Sequence, residues 1–137
     1  MKLLMIFAEK FSYTPTIKTI EDAEEHTEGK TFENALIGFI QVEEHDTEKE
    51  ILKVEKNLVK NLKWGARKNN TNKVVLHSFA HLSESKASPE FTKQVFELAE
   101  KRLKNADYDT AQTPFGYFLD LDVKAPGFSQ ARMFKSF

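Results

Sequence analysis

The chain has 137 residues, a length that suits one domain. Hydrophobic residues make up 40%, with 12 Phe among them, enough to fill a core, and the absence of cysteine excludes disulfides, cysteine-ligated zinc and thiol catalysis. Net charge is −1, without the basic surplus common in nucleic-acid binders, so the distribution of charge matters more than its total.

The N-terminal run MKLLMIFA is too short for a signal peptide or a membrane span. With no cysteine, this fits a cytoplasmic protein with no membrane partner. Residues 3–8 are continuously apolar and predict a central strand. Residues 11–16 include Pro15 and predict a loop or edge; residues 16–21 alternate and predict a short strand. Residues 22–30 are acidic and predict a solvated turn. Residues 34–44, NALIGFIQVEE, predict the second strong strand, with Gly38 as a bulge or point of close approach. A helix is predicted over 47–67: Thr47 and Glu50 have capping-box spacing, and Ile51, Val54, Leu58 and Leu62 recur at helical period.

Val74, Val75 and Leu76 begin a buried strand. Ser88 is a good N-cap and Pro89 suits the first position of a helix reaching about Asn105, with Phe91, Val95, Leu98, Ala99 and Leu103 inward. Residues 110–114 and 117–124 predict strands joined through Phe115-Gly116; Pro126-Gly127 is a turn, and residues 128–137 carry no clear pattern. The order β-β-β-α-β-α-β-β predicts one α/β (α+β) domain, a mixed sheet with two main helices on one face.

Between the Val74 strand and the second helix lies Phe79-Ala80-His81-Leu82-Ser83. His81 therefore falls at the carboxyl end of a buried strand, where open α/β sheets bind ligands. No GxGxxG, P-loop or GxSxG pattern is present. His26, His45, His77 and His81 show no metal-ligand spacing. Asp120 and Asp122 point the same way on a strand and could in principle join Glu43 and Glu44 around a cation, but a solvated strand face is the simpler and preferred reading. Neither metal nor cofactor is expected.

FAHLS at residues 79–83, followed by TPFGYF at 113–118, resembles the editing domain at the N-terminus of archaeal threonyl-tRNA synthetases, which is similar in fold to the D-aminoacyl-tRNA deacylases. The resemblance runs from Met1 to about Lys135. It implies hydrolysis of a mischarged aminoacyl ester, seryl on the tRNA for threonine foremost, by a homodimer acting in trans, with a threonyl-tRNA synthetase as a further partner. The implied site has His81, Ala80 and Phe115 at the reaction centre and Gln41, Val42, Phe79, Gly116, Tyr117 and Phe118 around the substrate. The implied chemistry is water attack assisted by the terminal 2′-hydroxyl of the tRNA, with backbone groups of Gln41, Val42, Ala80 and Phe115 positioning the ester. Phe7, Leu119 and Arg132 stand where the family carries histidine, lysine and glutamate. Two other readings follow from those departures: a binding module that keeps the fold without the chemistry, and a deacylase for a different ester.

Lys53, Lys56, Lys60, Lys63 and Arg67, with Lys49 before them, repeat so as to form a stripe roughly 80° wide on the first helix. The stripe suits a tRNA phosphate backbone, and it also suits the solvated face of an amphipathic helix.

Overall fold

The structure, a computed structural model, describes all 137 residues. Six strands, β1 (Lys2–Lys18), β2 (Lys30–Gln41), β3 (Lys73–Ser78), β4 (Asp109–Gln112), β5 (Tyr117–Lys124) and β6 (Arg132–Ser136), form one mixed sheet with two helices, α1 (Ile51–Lys68) and α2 (Pro89–Asn105). The strand order is β4-β3-β2-β1-β5, with β6 also on β1. β2, β3 and β4 run parallel through α1 and α2, as βαβ crossovers require, while β1 is antiparallel to β2, β5 and β6.

Alternation along the strands divides the apolar residues between two faces. Leu3, Met5, Leu36, Ile40, Val74 and Leu76 pack under the helices against Val54, Leu58, Leu62, Val95, Phe96, Ala99 and Leu103. Gly38 belongs to this side: a Cβ there would stand 2.8 Å from Leu62 Cδ2, so its lack of side chain is a close-approach requirement. No bulge occurs at Gly38, which pairs regularly with Met5. The second cluster, Ala8, Phe11, Tyr13, Ala35, Ile37, Phe39 and Val75, has no helical member. Ala8 and Phe11 are an odd number of residues apart yet share it. The inversion coincides with Asn34, at φ +51°, opposite this part of β1.

Four expectations change. β1 is one strand through residue 18, because Pro15 sits where the β5 register shifts and its missing N–H costs no regular ladder bond. The segment 44–48 is a separate 3-10 turn, capped reciprocally by Glu43 and Asp46, and α1 proper begins at Ile51. Thr47 donates its hydroxyl to Glu44 O, so it does not cap α1. The C-terminal residues 132–136 form β6, giving the order β-β-α-β-α-β-β-β. α2 starts as expected, with Ser88 Oγ accepting from Phe91 N and Pro89 in the first turn, but Phe96 joins Val95 in the core.

Candidate functional site

The carboxyl end of β2 sews down the loop between β3 and α2. Phe79 N donates to Ile40 O, and Ala87 N donates to Val42 O, each at 2.9 Å. Between these stitches lies Gln41, 3% exposed. Its Oε1 accepts from Leu82 N at 2.7 Å and Ser83 N at 2.8 Å. Its Nε2 donates to Ser83 O and Ser85 O, both at 2.8 Å. An amide with two donors and two acceptor lone pairs is thereby fully used, a result no smaller polar side chain could reproduce.

Glu43 continues the seam. Its Oε2 accepts from Ser83 Oγ at 2.8 Å and its Oε1 from the Met1 ammonium at 2.6 Å. Burial works against the charged carboxylate, but hydrogen bonds from the Met1 ammonium, Ser83 and His45 outweigh it and hold the pKa down at about 2. Glu43, His45 and Asp46 bring ligand-type atoms within 4.8 Å of one another. The Met1 ammonium already satisfies their two buried carboxylates, standing 2.9 Å from Asp46 Oδ2.

This stitching presents the turn at residues 80–81. Ala80 and His81 are exposed there, and their N–H groups make no hydrogen bond within the chain. The His81 ring lies edge-on to Phe79, 4.9 Å between centroids, and Phe79 in turn meets Phe39 at 5.2 Å and His77 at 5.8 Å. His77 is 5% exposed, and its Nδ1 is 2.9 Å from Thr113 Oγ1. Burial lowers its pKa to about 4, so the imidazole is neutral at ordinary pH. Thr113 N also donates to Leu76 O. The second motif is thus joined to the end of β3, just before the first motif, through the pair His77–Thr113.

Beyond Thr113 the chain turns away. The Phe115 ring packs 6.1 Å from Phe96 of α2. Gly116 has φ +83°, and a Cβ on it would come 3.0 Å from Ala23 Cβ and 3.3 Å from Ile20 Cβ, so the close approach it permits is to this chain's own loop. Tyr117 Oη donates to Glu24 O and accepts from His26 N, which commits its hydroxyl to that loop as well. Phe118 is exposed. A recess of about 480 Å³ includes Phe115 in its lining but not Phe79, Ala80 or His81. Gln41 and Val42 do border the His81 loop, through the Gln41 side chain and the Val42 carbonyl, and both are occupied in holding it.

From sequence, Glu43 was weighed only as a cation ligand, His77 only in the survey for metal-ligand spacing and Thr113 only as the start of the second motif; their part in holding the loop was not foreseen. The available signal was polarity at the end of apolar runs: Gln41 and Glu43 after GFI, and His77 after VVL. On α1, Lys53, Lys56, Lys60 and Arg67 are exposed and Lys63 is half-buried, while the buried Glu55 turns inward to pair with Arg102 of α2.

The family model of the archaea-specific editing domain of threonyl-tRNA synthetase matches residues 1–137. The chain belongs to that family. Similar curated relatives of this editing domain include the threonine–tRNA ligase of Hyperthermus butylicus, 31% identical over 93% of the chain and 21% of the relative. That of Staphylothermus marinus is 32% identical over 99% and 22%. The chain therefore spans about a fifth of the length of the relatives it matches. Among solved structures, the c-Myc DNA unwinding element binding protein has a TM-score of 0.68 at 11% identity, covering 100% of this chain and 99% of that one. That likeness bears on the fold, and the mixed sheet with two helices is the deacylase-like architecture expected from sequence. In this editing domain Leu119 packs against the helix-free cluster and Phe7 against the helix-side core, while Arg132 is exposed on β6. No helix is long and apolar enough to cross a membrane.

Proposed function

We propose that the domain hydrolyses the ester of a mischarged aminoacyl-tRNA, seryl on the tRNA for threonine, in trans. The observation that carries this reading is the turn at residues 80–81, its loop held by Gln41 and Glu43, where two consecutive exposed residues leave their backbone N–H groups unpaired within the chain. Such a pair suits the developing oxyanion of an ester under attack, and fixed donors stabilise it without reorganisation. His81 positions the substrate or the attacking water from the same turn, and Phe79 supplies an apolar wall; Phe115, Gly116 and Phe118, which the resemblance also implies, lie apart from this turn. The exposed cations of α1, Lys53, Lys56, Lys60 and Arg67 with Lys63 beside them, meet the tRNA backbone. Two copies pair through the helix-free side, where Leu121, Val123 and Phe134 are 39, 38 and 53% exposed on strands with a free edge. Partner, dimer and cytoplasmic location all belong to this proposal.

The test is hydrolysis of seryl- and threonyl-tRNA by the purified 137-residue protein alone. Seryl ester should be cleaved in preference, and substrate ending in 2′-deoxyadenosine should be nearly inert. His81→Ala should slow the reaction by roughly tenfold to a hundredfold, as for one positioned side chain. Ala80→Val should do more damage, by crowding the unused N–H pair. Normal cleavage of the deoxy substrate together with a dead His81→Ala variant would replace this mechanism by a side-chain base. Leu119, apolar and packed where the resemblance expects lysine, favours the second reading, a non-catalytic tRNA- or ligand-binding module. Tight binding of both tRNAs with cleavage of neither would establish that one.

A further inference from the structure

The recess beside Phe115 is chemically unlike the turn at His81. Two nearly buried hydroxyl residues form part of its lining, Tyr13 at 9% exposed and Thr113 at 5%. Thr113 Oγ1 is held by His77. The Tyr13 hydroxyl has no partner in the chain, and yet the one fully buried side-chain polar atom left unpaired is Asn69 Oδ1. Tyr13 Oη therefore reaches solvent, and Tyr13 lines this recess. Burial raises the pKa of the Tyr13 phenol, which keeps it protonated and neutral.

Ile20, Ala23 and Phe115 give the recess an apolar wall. Its charged groups are four carboxylates, Asp22, Glu24, Glu90 and Glu97, against one ammonium, Lys93, with His26 beside them. Asp22, Glu90 and Glu97 have no ion-pair partner within 4.0 Å; Glu24 lies 3.8 Å from His26. A volume of about 480 Å³ suits one small molecule. Carboxylates at the rim repel a phosphate and attract a cation, and the unpartnered phenol oxygen can accept one ammonium proton.

We propose that this recess binds an organic cation, a primary ammonium carried on an apolar body of amino-acid size. The ammonium lies among the carboxylates with Tyr13 Oη as an acceptor, and the apolar body lies against Phe115 and Ile20. The proposal goes beyond the deacylase reading and stands without it. The same chemistry has two sources, the α-ammonium of an aminoacyl ester and a free amine.

Amide NMR titrations of the intact protein with phenethylamine and with neutral 2-phenylethanol test it. Phenethylamine should shift the amides of Ala23, Thr113 and Phe115 and bind on the order of tenfold tighter than the alcohol, an advantage that shrinks in about 0.5 M salt. The double variant Asp22→Asn, Glu97→Gln should weaken the amine several-fold, since exposed carboxylates contribute modestly each. Tyr13→Phe, which keeps the ring, should weaken it about threefold. Equal binding of amine and alcohol, shifts confined to other surfaces, or no shift up to about 10 mM would each overturn the proposal. A hydrolysis-resistant 3′-serylamino adenosine and its N-acetyl form separate the sources. Shifts in the recess with the free-amine form only assign the ester's α-ammonium; recess shifts with phenethylamine but with neither adenosine compound assign a free amine. None of these readouts depends on ester cleavage, so failure here and failure of the deacylase reading are distinguishable.

Discussion

Replacing Gln41 by Ala removes four hydrogen bonds to the backbone of one loop, at 2.7, 2.8, 2.8 and 2.8 Å. A hydrogen bond of this kind contributes about 0.5–1.5 kcal/mol net. Leu82, Ser83 and Ser85 are only partly buried, so water restores part of what the amide supplied. The expected loss is therefore near the low end of the sum, about 2–3 kcal/mol by urea unfolding. The sharper readout is local. Hydrogen exchange at the amides of Leu82 and Ser83 should accelerate in Gln41→Ala by far more than the global change accounts for, because only those two donors lose their acceptor. Gln41→Glu separates the halves of the contact: it keeps both acceptor bonds but sets a carboxylate against the carbonyls of Ser83 and Ser85, so it should resemble Ala in stability while retaining more protection at the two amides. If the turn at residues 80–81 works as proposed, ester cleavage should fall in kcat rather than KM for both variants. A Gln41→Ala protein with unchanged exchange at Leu82 and Ser83 would refute the claim that this side chain holds the loop.

His77 gives a pH signature. Its pKa falls from 6.5 to about 4 on folding, so the unfolded chain binds the extra proton and stability declines as pH drops from 6.5 towards 4. The contribution is about 3 kcal/mol, and it should vanish from the stability-versus-pH profile of His77→Phe. Glu43 acts at lower pH: its lowered pKa contributes stability present above 4.5 and lost as pH falls through about 2, which Glu43→Gln should abolish. Gly116→Ala combines a left-handed backbone with a 3.0 Å contact to Ala23 and should cost about 1–3 kcal/mol in thermal or urea unfolding, with loss of order in the Tyr117–Glu24 contact. Sedimentation at micromolar concentration should show a dimer that Phe134→Lys converts to monomer; a wild-type monomer counts against the pairing face.

The parallel half of the sheet and both helices were legible because their signals are local. A run of β-branched residues, a Ser-Pro helix start and a 3.6-residue repeat each act within a few positions. The antiparallel half was legible only in part: residues 3–8 and 117–124 were read as strands, but the length of β1 and the existence of β6 were not. Pro15 reads as a breaker until the register shift against β5 is known, and residues 132–136 are strand-like only because the edge of β1 at Lys2–Ile6 accepts them. The same division holds at the site. His81 and Ala80 were proposed from the strand-to-helix junction and the motif, but the seam that holds their loop runs from Gln41 and Glu43, some forty residues earlier in the chain. Gly116 and Tyr117 were assigned to substrate from their motif, whereas the loop at residues 20–26 occupies the Cβ side of Gly116 and engages the Tyr117 hydroxyl. Pairings at such separation leave no periodic trace.

Within this domain β1 is synthesised before the other strands, and β2 covers one of its edges early. The other edge finds its partners only in β5 and β6, after residue 117. Through most of translation a long strand carrying Leu4, Ile6 and Phe11 therefore presents an open row of amides and carbonyls to other nascent chains. Closing it also requires loops of more than a hundred residues, which slows folding as sequence separation grows. Synthesis rate and chaperone access, rather than final stability, should then govern how much of this protein reaches its native state.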